Sequence, residues 1–65
     1  MNTISHRMLR LPEVRDITGV SRSSIYKWMD EGKFPLPRKL SERAKAWDSR
    51  EIAKWVDSRP VHEEY

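Results

Sequence analysis

The chain has 65 residues, no cysteine and a formal net charge of +3, so it is expected to form one small domain whose core gives only marginal stability. A core of this size leaves no room for a buried catalytic cavity, and without cysteine neither a disulfide framework nor a thiolate metal site can form. His6 and His62 are too isolated to make a metal-ligand set. We therefore expect no enzymatic activity, no metal and no cofactor.

The basic residues suit a polyanionic partner. Lys and Arg outnumber Asp and Glu by 13 to 10, and the excess is concentrated in the middle of the chain, between residues 38 and 45. No stretch is apolar enough for a signal peptide or a membrane span. The expectation is a cytoplasmic, nucleoid-associated protein with no membrane partner.

Residues 1–6 are expected to form a frayed end of the chain. A short strand is predicted over residues 7–11, with Met8 and Leu9 contributing to the core. The expected domain organisation has three parts: a disordered N-terminus (1–6), a folded domain (7–59) and a flexible C-terminal tail (60–65).

A first helix and a tight turn are predicted next. Pro12 suits the first position of a helix, where its missing N–H costs nothing, and Val14 and Ile17 then lie on one face. Gly19 supplies the left-handed residue that ends this helix, and Ser21 is a suitable N-cap for a second one. Two helices joined by so short a turn are typical of a helix-turn-helix.

The second helix has one apolar and one polar side. Ile25, Trp28 and Met29 follow the i, i+3, i+4 spacing of a buried stripe, and Gly32 marks the end of the helix. Side chains on the opposite side and in the first turn are free to contact bases or phosphates in a major groove, although a polar stripe is also typical of a plain solvated surface. These candidate residues are Ser21, Arg22, Ser23, Ser24, Tyr26 and Lys27.

A basic β-hairpin is predicted after the second helix. Residues 38–40 and 44–47 form its strands and residues 41–43 its turn. Its basic side chains are suited to neutralising phosphates or entering a minor groove, whereas charges on an edge strand also serve to prevent aggregation. The candidate wing residues are Arg38, Lys39, Arg43 and Lys45.

A third helix follows the hairpin. Asp48 and Glu51 have the spacing of a capping box, and Ile52, Trp55 and Val56 repeat the apolar stripe.

Three more arginines, near the start of the chain, are candidates to flank the phosphates of bound DNA. Their acidic neighbours, Glu13 and Asp16, favour local ion pairs for them instead. These arginines are Arg7, Arg10 and Arg15.

These elements resemble the AlpA family of prophage regulators, relatives of phage excisionases with a MerR-like winged helix. The resemblance covers residues 8–59 and rests on TGVSRSSIYKW, on GKFP after it, and on AW before a helix ending in KWV. It implies a mainly α fold with a small β-hairpin, a winged helix-turn-helix of three helices plus a wing. It also places the recognition helix at 21–31 and the wing at 38–47. The wing turn lacks the glycine common in the family, and Lys45 replaces a common apolar residue.

The resemblance implies a sequence-specific regulator of transcription that binds double-stranded DNA and is encoded on a prophage or similar mobile element. A recombination directionality factor of the excisionase type is the alternative, because it requires the same DNA-binding features. A third hypothesis is an adaptor that docks on a recombinase or RNA polymerase without touching DNA. Since one small module buries little surface on DNA, we also expect cooperative self-association on repeated sites.

Overall fold

The computed structural model describes residues 6–63 and shows three short helices and three short strands. Most of the predicted disordered N-terminus and the last two residues of the predicted tail lie outside the described residues. The elements in chain order are β1 (Met8–Leu9), α1 (Leu11–Thr18), α2 (Arg22–Asp30), β2 (Arg38–Lys39), β3 (Lys45–Asp48) and α3 (Ser49–Asp57).

Local hydrogen bonds define the turn between α1 and α2. The backbone N–H of Arg10 donates to Oε1 of Glu13 at 3.1 Å, so α1 begins at Leu11, one residue before the predicted proline. Gly19 has φ of 72° and donates its N–H to the Arg15 carbonyl at 2.8 Å, which ends the helix in the left-handed conformation that glycine adopts without strain. The hydroxyl of Ser21 then accepts the N–H of Ser24 at 3.2 Å. The predicted helix–glycine–serine–helix pattern is confirmed.

The strands form one small antiparallel sheet with β3 in its centre. Leu9 of β1 lies opposite Trp47, and Lys39 of β2 lies opposite Lys45. The pair β2–β3 and its turn are the predicted wing, which is confirmed as a hairpin. The predicted N-terminal strand shortens to two residues, and its pairing with β3 ties the start of the domain to the wing.

One apolar core lies beneath the sheet and the helices. Trp47 is its largest fully buried side chain, and its indole N–H donates to the Pro35 carbonyl at 2.8 Å, so the ring is buried without an unpaired donor. Trp28, Met29 and Trp55 pack against this core from its edge. The buried cluster consists of Leu9, Val14, Ile25, Phe34, Trp47 and Ile52.

Three apolar residues predicted to be buried are instead substantially exposed. Met8 is 37%, Ile17 50% and Val56 39% accessible. Met8 alternates with the buried Leu9 along a strand, so the two side chains point to opposite faces. The helices α1 and α3 are each only two to three turns long, and in each a single side chain is fully buried, Val14 in α1 and Ile52 in α3.

Only one of the two hydrogen bonds of the capping box predicted at the start of α3 is present, so the prediction is wrong for the other. Asp48 caps the helix by accepting the N–H of Arg50 at 2.8 Å. Glu51 does not return a bond to the cap, because its carboxylate binds Arg38 of the wing at 2.8 Å. The third helix is therefore attached to the wing through this ion pair as well as through the chain.

Three helices with a turn of helix-turn-helix type and a β-hairpin wing make the fold a mainly α winged helix-turn-helix. Within residues 6–63, no helix has the length and apolarity needed to span a lipid bilayer.

Candidate nucleic-acid interface

Three serine hydroxyl groups lie together at the start of α2, and they differ in the hydrogen bonds that they already make. The Ser21 hydroxyl is engaged in capping, and its Oγ lies 3.0 Å from that of Ser24, to which it donates. Ser24 thereby keeps its own hydroxyl hydrogen for an outside acceptor. Ser23 is exposed, and its Oγ lies 3.4 Å from that of Ser21. The exposed start of α2 thus offers hydroxyl donors at a helix N-terminus.

The exposed cations of α2 lie in its first turn and on the side opposite its buried residue. Ile25 is fully buried, whereas Arg22 and Lys27 are exposed. The side chain of Tyr26 lies between these two sides and is half-buried. Burial of the apolar stripe therefore directs Lys27 outward, as the helical spacing predicted, while Arg22 is exposed in the first turn.

Tyr26 joins the helix to the wing. The Lys45 ammonium of β3 lies over the Tyr26 ring at 4.8 Å from its centroid, and the guanidinium of Arg22 lies at 5.7 Å. Lys45, as a hydrogen-bond donor and a nearby positive charge, lowers the pKa of the Tyr26 phenol, and Arg22 adds a smaller effect in the same direction. Three of the predicted site residues, from two separate elements, therefore lie together in one cluster.

The four basic residues of the wing have different surroundings. Lys39 and Arg43 are exposed, and Lys39 lies opposite Lys45 in the β2–β3 register. Arg38 is held by Glu51 through Nε at 3.2 Å and Nη2 at 2.8 Å. Because this pair neutralises the charge of Arg38 locally, Lys39, Arg43 and Lys45 carry the positive potential of the wing.

Arg10 is a residue of this region for which the sequence interpretation favoured local pairing over a contact with DNA. Its Nη1 donates to the Lys45 carbonyl at 3.5 Å, so the side chain reaches toward the wing rather than to an acid of α1. The acid expected as its neighbour, Glu13, instead forms an ion pair with Arg7 at 3.4 Å. No local pattern indicates the position of Arg10, because it follows from the pairing of β1 with β3.

The described residues offer no sign of a metal centre in this region. Among residues 6–63, no group of three or more histidine, aspartate or glutamate side chains could hold an ion. The surface of α2 and the wing is instead a set of hydroxyl, guanidinium and ammonium donors, which suits an acceptor-rich, negatively charged partner.

Comparisons with known proteins agree with the winged architecture. Residues 7–60 match the model of the family described as Prophage CP4-57 regulatory protein (AlpA). The chain is 34% identical over 64 residues to the DNA-binding transcriptional activator AlpA of Escherichia coli K12, covering 89% of this chain and 91% of that protein. It is 40% identical over 53 residues to the uncharacterized protein ORF88 of Enterobacteria phage P4, covering 82% of this chain but only 60% of the phage protein. No solved structure matches the chain.

Proposed function

Because the chain belongs to the AlpA family of prophage regulatory proteins, we propose that it is a sequence-specific regulator of transcription that binds double-stranded DNA. Its E. coli relative is named a DNA-binding transcriptional activator, and the same activity is the simplest one for a chain that aligns with nearly all of that protein. The proposal includes a prophage or similar mobile element as the genetic setting and the cytoplasm as the location.

The recognition helix in this proposal is the segment 21–31, inserted in the major groove. Arg22 and Lys27 donate to guanine O6 and N7, which is the commonest base-specific contact of such side chains. Ser21, Ser23 and Ser24 contact phosphates or base edges near the N-terminus of the helix, where the exposed N–H groups and the helix dipole favour an anion.

The wing lies on the DNA that flanks this helix. Lys39, Arg43 and Lys45 neutralise backbone phosphates there. Arg38 has a weaker part, because Glu51 already binds its guanidinium. The wing therefore contributes affinity that depends little on base sequence.

The observation that carries the proposal is the contact of Lys45 with Tyr26, at 4.8 Å. It holds the polar side of α2 and the basic wing at one junction, so a single duplex can touch both. What supports DNA binding is that this contact brings the two donor surfaces together, and not the stacking alone, since Arg59 lies over the Trp55 ring in the same way at 4.4 Å.

The test is selection of bound duplexes from a random DNA pool, followed by titration of the chain with the selected duplex. We expect one enriched sequence motif. We also expect a linear fall of log K with log salt concentration, with a slope of about −4 to −5 if about four to six phosphates are contacted. Absence of enrichment together with a flat salt response would refute the proposal.

The same selected duplex distinguishes the alternatives. An adaptor that docks on a recombinase or RNA polymerase would bind its protein partner with no DNA present and would enrich no motif. A recombination directionality factor would enrich a motif that lies in the attachment-site DNA of its element rather than at a promoter. Cooperative self-association predicts that two copies of the motif in tandem bind more tightly than the two sites do separately.

A further inference from the structure

A groove of about 380 Å³ lies where the start of α1, the second helix and the wing meet. Tyr26 contributes its ring to the wall, and three cationic residues from two separate parts of the chain lie around it. These are Arg10, before α1, and Arg43 and Lys45, in the wing. The groove is open to solvent, so a ligand can reach it without rearrangement of the backbone.

None of the described residues that line the groove is acidic. The ion pairs found among residues 6–63 involve other cations, namely Arg7, Lys33, Arg38 and Arg50. Three positive side chains around one groove repel one another unless an anion lies among them. The contrast with the paired arginines nearby indicates that the groove is arranged for an external anion.

The backbone and the aromatic ring hold these cations in place. The Arg10 Nη1 donates to the Lys45 carbonyl at 3.5 Å, and the Lys45 ammonium lies over the Tyr26 ring. Guanidinium groups and an ammonium are the side chains that bind phosphate oxygens most strongly, and a phenol adds one O–H donor. The donor set therefore suits a phosphate oxyanion.

We propose that this junction groove binds a single backbone phosphate of duplex DNA, with Arg10 as a direct ligand that belongs to neither the recognition helix nor the wing. The inference rests on the proposed function, because its ligand is the DNA that the chain is proposed to recognise. It assigns a DNA contact to Arg10, a residue for which the sequence favoured local pairing. It also gives Lys45 two functions, which are binding the phosphate and positioning Tyr26.

The experiment tests which individual phosphate each protein side chain contacts. Duplexes of the selected sequence are made with one neutral methylphosphonate linkage, moved step by step through the site, and their affinities for the wild-type chain, Arg10→Gln and Lys45→Gln are measured. Each substitution should weaken binding to the unmodified duplex about tenfold, as expected for loss of a charge-assisted bond. At one linkage, and only there, both substitutions should lose most of this effect.

Lys54→Gln is the matched control, because it removes one positive charge from an exposed position of α3 that does not line the groove. It should change affinity little and show no coupling to any linkage. Thermal unfolding of each variant reports whether the fold is intact, and titration with inorganic phosphate tests for a site that accepts the free ion.

The outcomes separate the two proposals. If the wild-type chain binds a selected motif but Arg10→Gln couples to no linkage, the junction groove is refuted and the proposed function stands. The same conclusion follows if inorganic phosphate binds in the groove while no methylphosphonate linkage changes the effect of either substitution on DNA binding. If the wild-type chain binds no duplex, both proposals fail.

Discussion

Arg38 at the base of the wing donates two hydrogen bonds to the same carboxylate oxygen of Glu51 in α3, from Nε at 3.2 Å and from Nη2 at 2.8 Å. Both side chains are partly exposed, so the pair contributes about 0–1 kcal/mol to stability. Its larger consequence is electrostatic, because one of the four basic residues of the wing is already neutralised.

Arg38→Gln should therefore weaken DNA binding by about threefold or less, in contrast to the larger loss expected for Arg43→Gln, whose guanidinium has no such partner among the described residues. Glu51→Gln should increase affinity for all duplexes, since it releases Arg38 and removes a negative charge. Fluorescence anisotropy at one fixed salt concentration measures all three variants. Equal losses for Arg38→Gln and Arg43→Gln would show that the ion pair opens on DNA.

The recognition helix and the wing should respond differently to alanine. Arg22→Ala and Lys27→Ala are expected to cost about 1–3 kcal/mol on the selected motif and to lower discrimination against other sequences, because they remove base contacts. Arg43→Ala should weaken all duplexes about equally and reduce the magnitude of the salt slope by about 1, since it removes a phosphate contact. Binding of each variant to the motif and to a scrambled duplex provides the comparison. Unchanged discrimination in both α2 variants would contradict the assignment of the recognition helix.

The ionisation of Tyr26 should depend on Lys45. Because the Lys45 ammonium lowers the pKa of the phenol, Lys45→Gln should raise that pKa toward the ordinary value of about 10. An NMR titration of the Tyr26 ring carbon that bears the hydroxyl measures the shift without interference from Tyr65. Lys27→Gln is the control, since Lys27 is adjacent in sequence but does not lie over the ring, and it should leave the titration curve nearly unchanged. An equal shift in both variants would mean that net charge, not the contact, sets the pKa.

The stability of the domain should fall in acid through Asp48. The side-chain hydrogen bonds from Arg50, followed by the Arg50 backbone N–H, hold the pKa of Asp48 well below its usual range. A carboxylate whose pKa is lower in the folded state contributes stability above its unfolded pKa of about 3.9, and loses it as the pH falls toward the folded value. Asp48→Asn should therefore be less stable than the wild-type chain at pH 6, while the difference should narrow below about pH 4.

Chemical denaturation at a series of pH values measures this difference. Asparagine remains a good N-cap, so the variant removes the charge and keeps the cap. Glu42→Gln serves as the control in the wing turn, where the residue is exposed and takes no part in the ion pairs found among residues 6–63. A constant difference between wild type and Asp48→Asn from pH 6 to pH 3 would contradict the prediction.

Substitution of Gly19, in the turn between α1 and α2, should lower the stability of the domain through backbone conformation alone. Gly19 has φ of 72°, and a Cβ built there would meet nothing within 4 Å, so Gly19→Ala introduces no clash. It should nevertheless cost about 1 kcal/mol, because alanine adopts a positive φ with strain. Gly32→Ala is the matched comparison, with the same φ and the same open space, and a similar loss is expected. Urea denaturation checks both, and asparagine at either position should cost less than alanine.

Short-range chemistry explains what the sequence predicted well. The cap at Ser21, the left-handed Gly19 and the stripe of Ile25 all depend on residues within a few positions of one another, and the structure has each of them. The hairpin was predictable for the same reason, since its strands are joined by only a few residues. The polar side of α2 then follows from which side is buried.

Contacts between distant segments account for what the sequence left open or predicted wrongly. Glu51 lies at the correct spacing for a capping box, yet a better partner, Arg38, is supplied by the wing. Val56 has the correct spacing for burial, but no residue among 6–63 packs over it closely enough to cover it. Helical periodicity gives the direction of a side chain and not the neighbour that it will meet.

The amino-acid sequence by itself therefore determined the order of the elements, the caps at Gly19, Ser21 and Asp48, and the outward side of the second helix, because these depend on local backbone geometry. Only the tertiary structure decided that Lys45 lies on Tyr26 and that Arg10 reaches the wing. The Arg10 contact requires β1 to pair with β3 across about 38 residues of chain, and the Lys45 contact requires β3 to pack beside α2. No local pattern specifies either arrangement.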